Sequence, residues 1–220
     1  VSEQGEMEDL ARVLTPDVAV MVNVGPAHLQ GLHSVAGVAR EKAGLVTSVP
    51  PGGGAVISMD YPELTQATSG RGDIRRCSFS TRPDADCDLC VVREDRNGAD
   101  GYGLCLQGGD VRLDLCLPGE TSWIKENILA AACTASFLGF QETDIQAGLR
   151  QIRLPEHRGQ ILACRGLTIL DDCYNANPLS MRWALDWARE RAGSRQLVLI
   201  LGEMKELGDQ AEESHKDLGT

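Results

Sequence analysis

Residues 18–28 read VAVMVNVGPAH, and the fold follows from how this stretch is read. Val18 to Val24 is a nearly continuous aliphatic run, the composition of a strand covered on both faces, as in a parallel sheet. Gly25-Pro26 ends the run in a turn, and Ser34 opens a helix that extends to about Val46. Upstream, Glu3 to Leu14 places Met7, Leu10, Ala11 and Leu14 on one helical stripe. Downstream, Gly54 to Asp60 (GAVISMD) is a second short buried strand. Helices alternating with buried strands predict an α/β fold built on a parallel sheet.

Further along, the period changes. Leu104 and Leu106, then Val111, Leu113, Leu115 and Leu117, alternate with polar or small residues around Gly108-Gly109, which predicts an antiparallel hairpin within residues 74–118. Trp123 to Phe140 and Thr143 to Ile152 read as helices, and Leu154-Pro155 breaks the second, which puts a domain boundary within residues 154–165. The α/β rhythm then restarts with a strand at Leu167 to Leu170 and a polar loop, DDCYNANP, at residues 171–178. Asn177 is expected to cap the next helix, with Pro178 at its first position. Gln196 to Leu201 reads as another strand and Gln210 to Leu218 as a helix, together the opening half of a Rossmann-like domain. Both chain ends read as cuts rather than natural termini.

Composition bounds the function. The chain has 220 residues, 42% hydrophobic but only 4% aromatic, with a net charge of −11. Such a surface repels phosphate backbones and anionic lipid, which excludes duplex nucleic acid as a partner; a nucleotide can still bind where helix N-termini, Arg, Lys or Mg²⁺ reverse the sign locally. No apolar run approaches the roughly 20 residues of a membrane span. The acidic residues Glu3, Glu6, Glu8 and Asp9 do not fit a signal peptide. The expectation is a cytoplasmic protein without membrane insertion. Eight cysteines lie among aliphatic runs and read as reduced small hydrophobes. A four-thiolate zinc site from Cys77, Cys87, Cys90 and Cys105 is the alternative.

Several residues could carry chemistry. Lys42 falls near the middle of the stripe formed by Val35, Val38, Ala39 and Val46, so it either snorkels to the surface or carries a shifted or chemically altered charge. His28 follows the first strand, where ligands bind in open α/β sheets, and fits either a metal or phosphate contact or a loop histidine bonded to backbone. In the DDCYNANP loop, Asp171, Asp172, Tyr174, Asn175 and Asn177 crowd polar groups between strand and helix. Capping accounts for Asn177, whereas the paired aspartates and Tyr-Asn suit a metal-bound nucleotide or a ribose. Arg158, at the domain junction, could reach such a nucleotide. Glu203, Glu206 and His215 carry no site assignment by themselves. No GxxxxGK[ST] or GxGxxG phosphate loop occurs in the chain.

Taken together, NVGPAHLQGLHSVAGVAREKAG (23–44), ENILAAAC (126–133), DDCYNANPLSMRWAL (171–185) and LGEMKELG (201–208) with Ser214-His215 resemble the Mur ligases, in particular members that add D-alanyl-D-alanine to UDP-N-acetylmuramoyl-tripeptide. The resemblance implies that residues 1–157 are the latter half of a central parallel-sheet P-loop ATPase domain with an antiparallel hairpin region. Residues 158–220 would begin the C-terminal Rossmann-like domain, and the phosphate loop would lie upstream of Val1. It implies that His28 ligates Mg²⁺ and that Lys42 is carbamylated by CO₂ and helps position that metal. It further implies that Asn127, Arg158, Asp172 and Asn175 contact ATP, and that Tyr174 and Asn177 face the incoming dipeptide. The implied chemistry is phosphorylation of the tripeptide carboxylate by ATP, then attack of the dipeptide amine on the acyl phosphate. A 220-residue piece is expected to be inactive alone, and a monomer is expected.

The chain departs from the family in having Trp123-Ile124 before Glu126-Asn127, where His-Asn is usual, Cys173 where serine is commoner, and Glu203 where aspartate is usual. A related ligase with another carboxylate substrate and a non-catalytic α/β binding module with zinc at Cys77, Cys87 and Cys90 are the competing readings.

Overall fold

The computed structural model describes residues 1–98, 101–108, 111–117, 124–153 and 155–219. The expectations that fell on Gly109, Trp123 and Leu154 lie outside these residues. Helix α1 (Glu6–Leu14) precedes strand β1 (Val18–Met21), and the short α2 (Leu29–Leu32) and longer α3 (Val35–Thr47) lead to β2 (Gly54–Ser58). Ser34 caps α3 by accepting from the Gly37 amide, the role its hydroxyl is suited to. Gly37 is required there: a β-carbon at this position would stand 1.9 Å from the Leu32 carbonyl oxygen, so glycine lets α3 start hard against α2.

Helix α4 (Pro62–Ala67) and strands β3 (Arg75–Ser80), β4 (Leu89–Gly98), β5 (Gly101–Gly108) and β6 (Val111–Leu117) complete the first sheet. Its six strands run in the order β1-β2-β3-β4-β5-β6. The pairs β1–β2, β2–β3 and β3–β4 are parallel, while β4–β5 and β5–β6 are antiparallel, so the expected hairpin extends the parallel sheet. Gly54 pairs with Val18 on one side and Arg75 on the other, which places β2 between two parallel neighbours. All five β2 residues are buried, as a strand covered on both faces requires.

Helix α5 (Lys125–Phe137) lies over one face of this sheet and α3 over the other. Phe79, Leu106, Ile128 and Leu129 are each no more than 1% exposed in the α5-side core. Full burial of a side chain of this size contributes about 1.5–3 kcal/mol. Val38, Ala39 and Val46 of α3 pack with Ala19, Met21 and Ile57 in the second core.

Helix α6 (Glu142–Leu149) precedes a separate two-stranded antiparallel sheet, β7 (Gln160–Cys164) with β8 (Leu167–Asp171). Strand β7 occupies the stretch expected to be a domain boundary. Helix α7 (Pro178–Ala192) opens with Asn177 accepting from the Ser180 amide while Ser180 Oγ accepts from the Asn177 amide, a reciprocal capping box with proline in the first turn. A short 3₁₀ turn (Gly208–Gln210) leads into α8 (Ala211–Leu218).

The strand expected at Gln196 to Leu201 does not form. Residues 196–201 join neither sheet among the described residues, and Val198 is 71% and Ile200 95% exposed. An apolar run becomes a strand only when neighbouring chains satisfy its amides and cover its faces, and no described strand lies beside this one.

Candidate functional site

The carboxyl ends of β1 and β2 carry a half-buried polar cluster. Glu126, in the first turn of α5, accepts hydrogen bonds from the Tyr61 hydroxyl at 2.6 Å and from Asn23 Nδ2 at 3.1 Å. Burial raises the Glu126 pKa above its ordinary value, with the Tyr61 and Asn23 hydrogen bonds opposing. Burial and the neighbouring Glu126 carboxylate raise the Tyr61 phenol as well, which keeps it a proton donor. Lys42 belongs to the same cluster. Its Nζ donates to the Asn23 carbonyl at 3.2 Å, and burial lowers its pKa. The lysine is half-buried and ends on a backbone carbonyl of the strand-end loop.

Nearby, Asp60 binds the segment after β3. Burial would raise its carboxyl, but hydrogen bonds from Ser80, Thr81 and Arg82 outweigh that and lower it. This ties the end of β2 to the end of β3 beside Tyr61.

Beside Glu126, Asn127 faces a cavity of about 790 Å³ between α5 and α6 on one side and β8 and α7 on the other. Arg158 and Asp172 line the same cavity. Three residues expected at a nucleotide site therefore converge from separate parts of the chain. The remainder of the wall is largely apolar, including Ile128, Phe140 and the α7 face made by Trp183, Ala184 and Trp187. Burial raises the Asp172 pKa, with a bond from the Gly159 amide and the nearby Arg158 charge opposing.

The polar loop after β8 divides its tasks. The Arg158 guanidinium lies over the Tyr174 ring, 4.0 Å from its centroid, so Tyr174 supports the arginine by a cation–π contact. Asn177 spends its side chain on the α7 cap, and Asn175 Oδ1 accepts from the Ala176 amide. Tyr174, Asn175 and Asn177 do not line the cavity.

His28 stands apart from the cavity, at the start of α2 in a left-handed conformation with φ 57°. Its Nδ1 pairs with the Glu206 carboxylate, and Ser2 Oγ lies 3.3 Å from the same nitrogen. Glu206 is held in place by its surroundings. The Gln30 amide donates to the Glu206 carbonyl at 3.2 Å, and Met204 and Leu207 beside it are each 2% exposed. His215 accepts from the Met204 amide at Nε2 and faces the Ala211 carbonyl at Nδ1, so its ring braces this loop.

The four thiols considered for zinc do not assemble. Cys77 Sγ lies 3.0 Å from Cys133 Sγ, Cys87 Sγ donates to the Leu89 carbonyl, Cys90 Sγ to carbonyls of Pro83 and Gln107, and Cys105 interacts with Asp114. Among the described residues these cysteines are free and form no metal-binding group. Each finds a separate partner: Cys77, Cys90 and Cys105 sit on three different strands, and Cys87 lies just before β4.

Tyr61, Trp183 and Trp187 were not singled out from sequence, and Glu206 was named there without a role. The tryptophans had a signal, since Ser180, Trp183, Ala184 and Trp187 recur at helical spacing. The Tyr61–Glu126 and His28–Glu206 pairs join residues 65 and 178 positions apart, which no local pattern records.

Comparison with known proteins finds two family models along the chain. Residues 1–135 match the Mur ligase middle domain, and residues 157–220 match the Mur ligase, glutamate ligase domain. UDP-N-acetylmuramoyl-tripeptide–D-alanyl-D-alanine ligase of Bacillus subtilis (strain 168) is 29% identical over 220 residues, covering 100% of this chain and 46% of that protein. A crystal structure of MurF from Acinetobacter baumannii superimposes with a TM-score of 0.86 at 27% identity, over 100% of this chain and 47% of that one. MurF ligase of Thermotoga maritima in complex with ADP shares the fold, with a TM-score of 0.80 at 24% identity over 99% of this chain and 49% of that one. The chain spans about half the length of the curated relatives it matches.

Proposed function

This chain belongs to the Mur ligase family, and from that premise we propose that it forms part of an ATP-dependent ligase joining D-alanyl-D-alanine to UDP-N-acetylmuramoyl-tripeptide in the cytoplasm. The observation that carries the reading is the shared cavity: Asn127, Arg158 and Asp172, each assigned to ATP by the resemblance, line one pocket between the α5–α6 pair and the β8–α7 unit. We place the division between the middle and C-terminal domains at residues 157 and 158.

The reaction activates a carboxylate. The terminal phosphoryl of ATP passes to the tripeptide carboxylate, forming a carboxyl–phosphate bond and releasing ADP. The dipeptide amine then attacks that carbonyl, and the tetrahedral intermediate collapses to an amide with phosphate as leaving group. The apolar wall of Trp183, Trp187 and Ile128 suits a planar base and excludes water from it. Arg158, backed by the Tyr174 ring, supplies fixed positive charge toward the phosphates.

The reading extends to Mg²⁺, for which His28 would be one ligand. Glu206 engages His28 Nδ1, an arrangement that orients the imidazole and leaves Nε2 for a ligand. Lys42 would provide the second ligand as a carbamate. The neutral amine is the form that attacks CO₂: the ammonium first gives up one proton to solvent, an N–C bond forms as a C=O π bond opens, and a second proton leaves, so that a cation becomes an anion. Burial that lowers the Lys42 pKa favours that neutral form. The metal, when bound, supplies charge neutralisation at the phosphates.

The test is ADP and phosphate release by the intact protein that contains this chain. Turnover requiring ATP, the UDP-sugar tripeptide and D-alanyl-D-alanine together supports the reading. Turnover with another amino acid or carboxylate acceptor instead, or none with any, overturns it.

A further inference from the structure

Outside the cavity and away from His28 and Lys42, three side chains with strong metal-binding atoms meet where the second sheet begins. These are His157, Asp171 and Cys173. One ligand atom from each lies within 4.8 Å of the others. His157 Nδ1 and Asp171 Oδ2 are 2.8 Å apart, and the Cys173 amide donates to Asp171 Oδ1 at 3.4 Å.

The backbone holds this trio from several directions. Asp171 is the last residue of β8 and pairs with Gln160 in the hairpin. The Tyr174 amide donates to the His157 carbonyl at 3.1 Å, fastening the segment before β7 to the loop after β8. His157 adopts φ 62°, a left-handed conformation that a residue with a β-carbon enters only at a cost. The ligand-bearing positions are thus set by main-chain contacts before any ion arrives.

We propose that His157, Asp171 and Cys173 form a binding site for a divalent transition metal of the Zn²⁺ type, with a further coordination position open to water. The donor set selects the ion. Thiolate and imidazole favour Zn²⁺ over Mg²⁺, which takes oxygen ligands and gives up its waters reluctantly. Tetrahedral zinc with bonds near 2.0–2.3 Å places its ligand atoms about 3.3–3.8 Å apart, and the three atoms here already lie within 4.8 Å of one another.

Binding forms a metal–sulfur bond as the Cys173 S–H breaks, with its proton going to bulk water. Nδ1 of His157 bonds the metal through its lone pair, and any ring proton resides on Nε2. Asp171 exchanges its contact with His157 for the metal. The ion would cross-link residue 157 to the 171–173 loop. Arg158 and Asp172, which line the cavity, are the immediate neighbours of those ligands, so occupancy would stiffen that wall.

The test uses the full chain, stripped of metal and kept reduced, titrated with Co²⁺ and then Zn²⁺. One equivalent of Co²⁺ is expected to give a thiolate-to-cobalt charge-transfer band with tetrahedral ligand-field absorption, which Zn²⁺ displaces. Cys173→Ser and His157→Gln should each weaken binding by more than roughly tenfold, since even outer partners of metal ligands are worth 10–100-fold. Cys164→Ser, which removes another exposed thiol in the same hairpin, should leave the band intact. Zn²⁺ should raise the melting temperature of the parent chain but not of Cys173→Ser. Equal metal-free melting temperatures of parent and variant establish that the variant is folded. Absence of a thiolate band, its persistence in Cys173→Ser, or its loss in Cys87→Ser overturns the assignment.

Discussion

At the scale of single residues, the polar cluster at the ends of β1 and β2 makes the sharpest predictions. Glu126 faces the Tyr61 hydroxyl and Asn23, with Asp60 and Lys125 acting on it through charge. Its pKa in the fold is raised, from an ordinary 4.5, so the folded state holds its proton more tightly than the unfolded chain. The associated stability is present below about 4.5 and is lost as pH rises through the raised value. Urea midpoints measured across this range should show that decline, and Glu126→Gln should remove this part of it. For Lys42, Lys42→Ala is expected to abolish turnover of the intact protein. Added CO₂ should not restore it, whereas a small carboxylic acid should recover part of it by standing in for the carbamate. Unchanged turnover in that variant would remove the carbamate role.

At the scale of elements, α7 combines a capped start with a face that lines the cavity. Its Asn177 cap was foreseeable because Asn-Pro at a helix start has a local physical meaning; the structure forms that cap and adds the reciprocal bond to Ser180. Asn177→Ala should cost about 1 kcal/mol in chemical denaturation through loss of the cap. The same helix presents Trp183 to the cavity. Trp183→Ala should weaken ADP binding to the intact protein by roughly tenfold, about 1.4 kcal/mol, as read by calorimetry. Local pattern failed for 196–201, whose apolar run has strand composition but no neighbouring strand among the described residues. It also missed β7, because QILAC at residues 160–164 is short and lies directly after a proline-broken helix. A hairpin partner, β8, makes it a strand.

At the scale of the whole molecule, the segment after α7 returns to α2 and sets Glu206 against His28. The contact ties the two regions together through an imidazole that the resemblance assigns to a metal. A double-mutant cycle with His28→Ala and Glu206→Gln should give a coupling of about 0.2–1 kcal/mol in low salt, the range for a partly exposed pair. Additive effects on urea midpoints would show that the pair contributes no stability. The cavity has a similar long-range origin, since Asn127, Arg158 and Asp172 meet only once α5, the β7–β8 hairpin and α7 are packed. The residues 18–58 sufficed for the parallel sheet, because burial on both faces is written into an uninterrupted aliphatic run and Ser34 marks where α3 begins. Asn177 and Pro178 likewise determined their cap through the chemistry of their own atoms. The tertiary structure alone decided that Tyr61 meets Glu126, that Glu206 meets His28, and that the 196–201 run is left outside both sheets. These outcomes depend on which distant groups satisfy one another's hydrogen bonds and charges, and periodicity along a chain carries no record of that.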